Sequence, residues 1–556
     1  MAAADQAAAS TRWDMDADVV VLGTGAAGLS AALAAAVGGA RVVVLEKTAV
    51  IGGTTAMSGG GTWVPNNPKM RAARFADSED DALAYIRAMM PEDWRREEDA
   101  RWRAFARAAP LMVDFVERHS PLRFIMVRQP DMFPEAPGGK AGGRLLTPDF
   151  LSRNILGPWR GALRKSIRPQ LFSYDEIILS PLMRRPVRTA LKLAHKIAYR
   201  VLTRRVGLGA AMIVGLFKGC LDHGCTVFTD ARAGELLTEG EGGRVTGVVA
   251  TIAGRRVAIR ARKAAIIATG GFDWDDARLA QHYPTEWLLR GAPRTNTGDG
   301  QRMAEAVGAA FGRMDQATIY PISNTTYEGR THAIPLNQLD FAHCILVDRT
   351  GRRFVGEGDR NGIAKALAAR DPGTGKPIHT PAWRIFDTAF AKANPFNVRV
   401  AGWVEGGLRR ARTIEDLARQ IGLDPTALAE TVARFNTFVR AGRDTDFGRG
   451  ESSLEKFLTA DPKNPGKNGA LGTIARPPFY ASPYYLGILG TKGGPKTNER
   501  GQVLRADDSV IGGLYAAGSA MANFFGAAAF SSGTTLGPYL TWGYVCGTNA
   551  LKENAG

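Results

Sequence analysis

The chain has 556 residues, of which 45% are apolar and 22% charged, as in an ordinary globular protein. This length exceeds the size at which a single hydrophobic core stops growing, so we expect two domains. The net charge is +17, but the sequence has no zinc-ligand spacing and no RNP-like aromatic stretch, which argues against a nucleic-acid module and a metal site.

The first predicted element is a buried parallel strand at residues 18–22, followed at once by a glycine-rich turn and an Ala/Leu-rich helix. In this turn Gly23 permits the bend, Gly25 lets the backbone approach a pyrophosphate, and Gly28 allows close packing of helix and strand. A second strand at 41–45 ends at Glu46, where an acid can bind ribose hydroxyls. Because the glycines stand between a strand and a helix, the pattern predicts a dinucleotide site.

Further glycines and small hydroxyl residues follow in the stretch EKTAVIGGTTAMSGGG at 46–61. The segments ATGGF (268–272), TGDG (297–300), GLYAAG (513–518) and GTTLGP (533–538) come later. With these motifs in this order, the chain resembles the fumarate reductase and 3-ketosteroid dehydrogenase superfamily of flavoproteins over almost its whole length. The resemblance implies FAD as the cofactor. No histidine stands at the family's covalent attachment position, so we expect non-covalent binding.

The resemblance also implies an α/β, Rossmann-type FAD-binding fold that is split in the sequence. Residues 14–314 and 478–556 would form the two parts of the FAD-binding domain, and 315–477 an inserted α+β capping domain that binds substrate. The last motif would place a helix N-terminus near the pyrimidine edge of the flavin, where it stabilises negative charge. The residues assigned to the cofactor in this way are Gly23, Gly25, Ala26, Ala27, Gly28, Glu46, Lys47, Gly53, Thr54, Thr55, Ser58, Gly59, Gly60, Ala231, Thr269, Gly270, Gly271, Asp299, Gly518, Gly533, Thr534, Thr535 and Leu536.

Within the superfamily the sequence is most similar to the 3-ketosteroid dehydrogenases, through WVPNN (63–67), PEAPGG (134–139) and LGTKGG (489–494). In these enzymes a hydride leaves a ring carbon for FAD while a base takes the neighbouring proton, and donors to the ketone oxygen stabilise the enolate-like charge. The tyrosines of the Δ1 subgroup are replaced, by Met132 and Phe133 in one motif and by Asn361 and Ala529 in two others. These side chains cannot do the work of a phenol, so Δ1-dehydrogenation by the usual tyrosines is not expected.

The final loop, FSSGTTLG at 530–537, is similar to that of the Δ4-(5α) subgroup. The resemblance implies that Ser532 Oγ and the Gly533 N–H form a two-donor pocket for a carbonyl oxygen, or alternatively that Ser532 only caps the following helix. Arg360 and Asn361 are further catalytic candidates. The residue that moves the proton is left open between Arg360, Tyr320, Tyr327 and water. The residues expected to line an apolar substrate site are Met132, Phe133, Tyr320, Phe530 and Tyr539.

The leading hypothesis is an FAD-dependent enzyme that introduces or removes a C=C bond beside the ketone of a steroid-like or alicyclic substrate. An ene-reductase that uses Arg360 as its acid and a non-catalytic flavoprotein that binds a sterol or lipid are the alternatives. Fumarate reduction fits less well, because Gly490 stands where that subgroup has a histidine. Without a second nicotinamide fingerprint, we expect the electron acceptor to be a quinone, a carrier protein or oxygen.

The segment 186–205 repeats a basic residue every four positions, at Arg188, Lys192, Lys196, Arg200 and Arg204. The pattern predicts either a surface helix with a solvated basic face or a helix that rests on anionic lipid. No apolar run reaches the ~18–20 residues of a membrane-spanning helix, and the four cysteines are scattered, as in a reducing compartment. We therefore expect a cytoplasmic protein, with peripheral membrane contact as the alternative.

Overall fold

The computed structural model describes residues 12–167, 170–178, 186–240, 243–283, 289–335, 342–395, 398, 407–459 and 467–554. The strands in this part of the chain are β1 (Met15–Leu22), β2 (Val42–Leu45), β3 (Thr62–Trp63), β4 (Phe124–Val127), β5 (Leu145–Pro148), β6 (Leu151–Ser152), β7 (Arg205–Val206), β8 (Thr226–Phe228), β9 (Ala231–Thr238), β10 (Val245–Ile252), β11 (Arg255–Ile267), β12 (Leu289–Arg290), β13 (Phe311–Gly312), β14 (Ala317–Tyr327), β15 (Arg330–Pro335), β16 (Cys344–Val347), β17 (Ala382–Phe386), β18 (Arg409–Ala411), β19 (Phe479–Thr491), β20 (Gly494–Pro495), β21 (Gln502–Leu504) and β22 (Val510–Ala516).

The α-helices in the same residues are α1 (Ala26–Val37), α2 (Pro68–Ala72), α3 (Glu79–Met89), α4 (Arg95–His119), α5 (Tyr174–Ile178), α6 (Pro186–Leu202), α7 (Leu208–Asp222), α8 (Asp276–His282), α9 (Asp299–Ala306), α10 (Arg360–Ala368), α11 (Thr388–Ala393), α12 (Ile414–Gln420), α13 (Pro425–Ala441), α14 (Ser453–Thr459) and α15 (Leu536–Ala550). Short 3₁₀ helices cover Thr55–Met57, Glu92–Trp94, Arg153–Gly161 and Gly518–Ala520.

The first sheet has the strand order β21-β22-β11-β1-β2-β8, and β10 and β9 extend it from β11. β1 runs parallel to β2 and to β11, and β11 runs parallel to β22. The apolar run of β1 is buried because helices cover this sheet, and the Ala-rich α1 packs on α15 from the other end of the chain. The predicted Rossmann-type α/β fold is confirmed.

The second sheet has the order β15-β14-β19-β17-β16, with β12 and β18 also paired to β19. The long strand β19 is therefore its centre, paired with β14 along one edge and with β17 along the other. The predicted return of the chain to the FAD-binding domain at 478 falls just before this strand, which stays in the second sheet as far as Thr491. The domain limits at 314 and 477 stay predictions.

Among the described residues, no helix is both long and apolar enough to cross a membrane.

Candidate active site

A cavity follows the carboxyl ends of β1, β2 and β11, where parallel α/β sheets bind their ligands. Most of the positions predicted to bind the cofactor meet at this one place. The predicted residues that line it are Gly23, Gly25, Ala26, Ala27, Glu46, Lys47, Gly53, Thr54, Thr55, Ala231, Thr269, Gly270, Asp299 and Gly518. Tyr539, predicted for the substrate site, lines this cavity as well, whereas Gly28, Ser58, Gly59, Gly60, Gly271 and 533–536 do not.

The turn between β1 and α1 is open on the side of the cavity and tight on the other. Gly23 has a φ of +113°, and a Cβ there would lie 2.4 Å from the carbonyl oxygen of Ala268. At Gly25 a Cβ would meet only Thr55 Oγ1, at 3.8 Å, so the backbone is accessible from the cavity. The N-terminus of α1 follows directly and turns its free N–H groups and positive dipole end to this space, which suits a phosphate.

Glu46 lies at the end of β2 and is held in place by two threonines. Its Oε2 accepts hydrogen bonds from the hydroxyl of Thr24 at 2.6 Å and from the Thr24 N–H at 3.3 Å. Its Oε1 accepts from the N–H and the hydroxyl of Thr48, at 3.1 and 3.0 Å. These four hydrogen bonds fix the orientation of the carboxylate, which lines the cavity.

Three cations surround the carboxylate of Asp299 at the first turn of α9. Lys47 Nζ lies 3.0 Å from it, Arg232 donates to it at 3.1 Å, and Arg302 also contacts it. Burial acts to raise the pKa of Asp299, but the hydrogen bond from Arg232 and the charge of Lys47 lower that pKa to about 2. Asp299 is thus ionised at any physiological pH and ties α9 to the end of β2.

Lys492 is a buried cation that no sequence pattern indicated as a site residue, although it stands in the LGTKGG stretch. Its ammonium donates to Thr535 Oγ1 at 3.0 Å, just before α15, and lies 4.9 Å from the centre of the Tyr539 ring. Among the described residues, no salt bridge joins it to a carboxylate. Burial lowers the pKa of Lys492 to about 7, against the opposing effect of the Asp273 charge. An unpaired ammonium in this position favours an anionic group at the Tyr539 end of the cavity.

Beside the loop before α15, three side chains form a chain of hydrogen bonds. The Tyr174 hydroxyl donates to Gln129 Oε1 at 3.4 Å, and Gln129 Nε2 donates to Ser532 Oγ at 2.8 Å. Since Ser532 Oγ accepts a hydrogen bond from the Gln129 amide, its own O–H can point elsewhere and donate to another group. The alternative prediction, that Ser532 only caps the following helix, is wrong, because Thr535 holds the N-cap position of α15 and Ser532 bonds to Gln129 instead.

Gly533 and Asn361 fix the shape of the same loop. Gly533 has a φ of +88°, and a Cβ there would lie 2.6 Å from the backbone nitrogen of Trp63. The Gly533 carbonyl accepts the Trp63 N–H at 3.1 Å. Asn361, at the start of α10, donates from Nδ2 to the carbonyl of Ala529 at 3.1 Å, so it links the second sheet's helix to the loop.

The predicted wall residues have different surroundings. Phe530 is only 1% exposed and packs in an aromatic cluster with Trp63, Tyr85 and Phe525, so its place on the substrate wall stays a prediction. The Tyr85 hydroxyl donates to the Phe530 carbonyl at 2.6 Å and fixes it there. Phe133 is 40% exposed.

The other candidates lie in different parts of the fold. Met132 is half-buried and donates its N–H to the Phe530 carbonyl at 3.2 Å, and Tyr320 is half-buried on β14. The Tyr327 hydroxyl donates to the carbonyl of Lys165 at 2.9 Å, which engages it at the end of β14. The side chain of Arg360 lies outside the described part of the chain. Tyr174 is a phenol that the structure links to Ser532 through Gln129, and no motif in the sequence pointed to it.

The chain is similar to known proteins over almost its whole length. The family described as "FAD binding domain" matches residues 18–536. A 3-oxosteroid 1-dehydrogenase of Mycolicibacterium smegmatis is 35% identical, over 95% of this chain and 96% of that protein. A 4-oxocyclohexanecarboxylate 2-dehydrogenase of Sinomonas cyclohexanicum is 34% identical, over 97% of this chain and 93% of that protein.

Among solved structures, a 3-ketosteroid Δ1-dehydrogenase from Sterolibacterium denitrificans in complex with 1,4-androstadiene-3,17-dione has a TM-score of 0.86 to this chain. The two are 29% identical, with 97% of this chain and 99% of that chain covered. These similarities run over the full length, so they include both the cavity and the loop that carries Ser532.

Proposed function

Because this chain belongs to the FAD-dependent 3-ketosteroid dehydrogenase and fumarate reductase superfamily, we propose that it oxidises the CH–CH bond beside the ketone of an apolar cyclic substrate. FAD is the cofactor and the protein is an FAD-dependent dehydrogenase or reductase. The observation that carries the finer proposal is the hydrogen-bond chain that ends at Ser532, because it leaves one hydroxyl proton for a ketone oxygen.

The residues of the cavity fit FAD. The accessible backbone at Gly25 and the N-terminus of α1 would hold the pyrophosphate, and the oriented carboxylate of Glu46 would bind ribose hydroxyls. The unpaired ammonium of Lys492 suits the pyrimidine edge of the flavin ring, which gains negative charge on reduction. Without that group, the Lys492 amine has only a threonine hydroxyl as partner among the described residues, and burial lowers its pKa to about 7.

When bound, FAD supplies the acceptor for the hydride that leaves the substrate. The chain's own contribution at this point is electrostatic. Lys492 and the N-terminus of α15 put positive charge beside Thr535, and both are fixed by the fold before the reaction begins. Preorganised charge of this kind lowers the barrier because no rearrangement is needed when negative charge develops.

The ketone oxygen of the substrate is held by Ser532 Oγ–H and the Gly533 N–H. As a hydride leaves one ring carbon and a proton passes from its neighbour to a base (Arg360, Tyr320, Tyr327 or water), charge accumulates on this oxygen. Two donors aimed at it stabilise the enolate-like transition state. Gln129 keeps the serine proton directed outward, because its own N–H occupies the serine oxygen. Tyr174 in turn fixes the orientation of the Gln129 amide.

A ketone fits this site better than a dicarboxylate. The guanidinium of Arg144, which lies close to the aromatic cluster under the loop, is committed to Asp77 at 2.7 Å and to Asp131 at 3.1 Å. A dicarboxylate needs cationic partners with free donors. The relatives named above act, by their names, on oxo-substituted rings, which supports a cyclic ketone here. We expect the electrons to pass on to a quinone, a carrier protein or oxygen.

The test is anaerobic mixing of the FAD-loaded protein with a panel of ketones, followed by flavin absorbance. The panel contains a 4-ene-3-ketosteroid, its ring-saturated form and 4-oxocyclohexanecarboxylate. For the reverse direction, the dye-reduced protein is mixed with the enone or with fumarate. We expect bleaching by at least one cyclic ketone and no reoxidation by fumarate. The proposal is wrong if no ketone bleaches the flavin and no enone reoxidises it.

A further inference from the structure

Helix α6 presents an apolar face to solvent. Leu191 is 72% exposed, Leu202 is 82% exposed, and Tyr199 and Val201 are more than half exposed. Leu191 and Leu202 are separated by about three helical turns, so they lie on nearly the same line along the helix. An exposed ridge of large apolar side chains on one helix is unusual for a surface that faces only water.

The opposite face of α6 holds it to the protein through a basic residue. Arg200 is buried, donates to both oxygens of Glu176 at 2.7 and 2.9 Å and to the carbonyl of Leu171 at 2.8 Å, and stacks over the Phe150 ring. The sequence pattern predicted that Arg200 belongs to a solvent-exposed basic stripe. This prediction is wrong, because Arg200 is buried. A charged residue therefore holds α6 to the protein, whereas leucines are exposed to solvent.

Cations flank the exposed ridge. Lys192, Lys196 and Arg204 are exposed, and none of them forms a salt bridge with the residues that the structure describes. Lys192 and Lys196 lie about 100° and 140° around the helix axis from Leu191, at the margin of the apolar face. Apolar side chains in the centre with free lysines at the margin are the arrangement of helices that lie in a lipid interface.

We propose that α6 docks this enzyme on the surface of an anionic lipid bilayer, with Leu191 and Leu202 inserted and the lysines against the head groups. A second copy of the chain is a poorer occupant, because pairing two such helices would bring Lys192, Lys196 and Arg204 of both copies together. The net charge of +17 acts in the same direction, since an anionic surface attracts the whole protein.

Hydrogen bonds join the docking helix to the site. Arg200 of α6 pairs with Glu176 of α5, and the first residue of α5 is Tyr174, which donates to Gln129. A bilayer against α6 therefore lies one short helix away from the Ser532 loop. If the proposed function holds, an apolar ketone dissolved in the lipid has a short way to the site; the docking itself does not depend on that function.

The experiment is flotation of the FAD-loaded protein with vesicles of phosphatidylcholine alone or with 30% phosphatidylglycerol. We expect flotation with the anionic vesicles and little with the neutral ones. The double variants Leu191→Ser/Leu202→Ser and Lys192→Glu/Lys196→Glu should each reduce the bound fraction about tenfold. The control Leu111→Ser, at an exposed leucine of α4, should leave flotation unchanged.

FAD content and thermal unfolding of each variant establish that the fold is intact. Failure of the wild-type protein to float with anionic vesicles overturns the proposal, and so does equal flotation of the Leu191→Ser/Leu202→Ser variant. Sedimentation velocity is run in parallel. A dimer that this variant abolishes, without any vesicle binding, assigns the ridge to a second copy and overturns the lipid proposal. If the wild-type protein floats with anionic vesicles but oxidises no ketone, only the proposed function is contradicted.

Discussion

Gln129 Nε2 lies 2.8 Å from Ser532 Oγ, although the two residues are 403 positions apart in the sequence. The bond occupies the serine oxygen and leaves its proton for another acceptor. A serine that merely capped α15 would instead accept a backbone N–H. The two residues thus make one donor for a ketone oxygen, and the predictions below begin from this pair.

Replacing Ser532 by alanine should lower kcat/KM for the best ketone by about 10²–10³-fold, as the loss of one oxyanion donor does in other enzymes. FAD binding should not change, because Ser532 does not line the cofactor cavity. Steady-state kinetics and the ratio of flavin to protein absorbance measure the two quantities. The control is Ser509→Ala, at a hydroxyl that bonds only within its own surface turn; a similar loss there would discredit the assignment.

Two substitutions at Gln129 separate orientation from simple contact. Gln129→Leu should lower kcat about tenfold, because the serine hydroxyl is no longer oriented. Gln129→Glu should be slower still at neutral pH, because the new carboxylate accepts a hydrogen bond from the serine hydroxyl and turns that hydroxyl away from the ketone. As that carboxyl protonates at low pH it can donate again, so the relative activity of this variant should rise as pH falls. A flat ratio of variant to wild-type rate against pH would refute the orientation argument.

Lys492→Met should lower the reduction potential of bound FAD, because a fixed positive charge beside the reduced ring is removed. A loss of about 1.4 kcal/mol corresponds to about 30 mV for a two-electron couple. Reductive titration against a reference dye measures the shift directly. Lys496→Met, at a partly exposed lysine paired with Glu97 on the surface, is the matched control. An unchanged potential in Lys492→Met would place the ammonium away from the flavin.

The low pKa of Lys492 has a consequence for the protein from which FAD has been removed. The folded state holds this lysine with a pKa of about 7, whereas the unfolded chain has the usual 10.5, so between these values the unfolded state binds more protons. The free energy of unfolding of the wild type, relative to Lys492→Met, should therefore rise with pH across this interval, by at most about 1.4 kcal/mol per unit. Chemical denaturation at several pH values checks it; a difference that falls with pH would contradict the assignment.

Gly533→Ala should destabilise the protein by more than about 2 kcal/mol, since a side chain here meets the backbone of Trp63 and requires a strained positive φ. Urea denaturation gives the value, and FAD content should fall with it. Gly234→Ala, on β9 with nothing within 4 Å of the added carbon, serves as the control. Equal stability of the two variants would mean that the loop before α15 is not constrained in this way.

The cofactor half of the site could be predicted because each of its parts is a local pattern. Gly23, Gly25 and Glu46 stand in fixed order between strands and a helix, and the fold then brings them together at one sheet edge. Lys492 was within reach as well, as the one charged residue of a noted motif. The structure adds two facts that the sequence does not give: Lys492 is buried, and it forms no salt bridge with the described residues.

The substrate half could not be predicted in the same way. Gln129 and Tyr174 belong to no motif, and they reach Ser532 only through the packing of distant segments. The packing of Phe530 could not be predicted either, because the direction of a ring in an irregular loop is set by its neighbours, here Trp63 and Tyr85. Tyr539 lies one turn into α15, and the packing of this helix places its side chain at the cofactor cavity.

The central claim is oxidation of a CH–CH bond beside a ketone, and product analysis after one anaerobic turnover tests it most directly. Equal amounts of FAD-loaded protein and the ketone that bleaches it are mixed without oxygen, and the organic product is analysed by mass spectrometry and NMR. The account predicts a product that has lost two hydrogens, carries a new C=C bond conjugated to the intact ketone, and forms in proportion to the bleached FAD. A bleached flavin with the ring carbons unchanged, or with oxidation at a hydroxyl group instead, would contradict it.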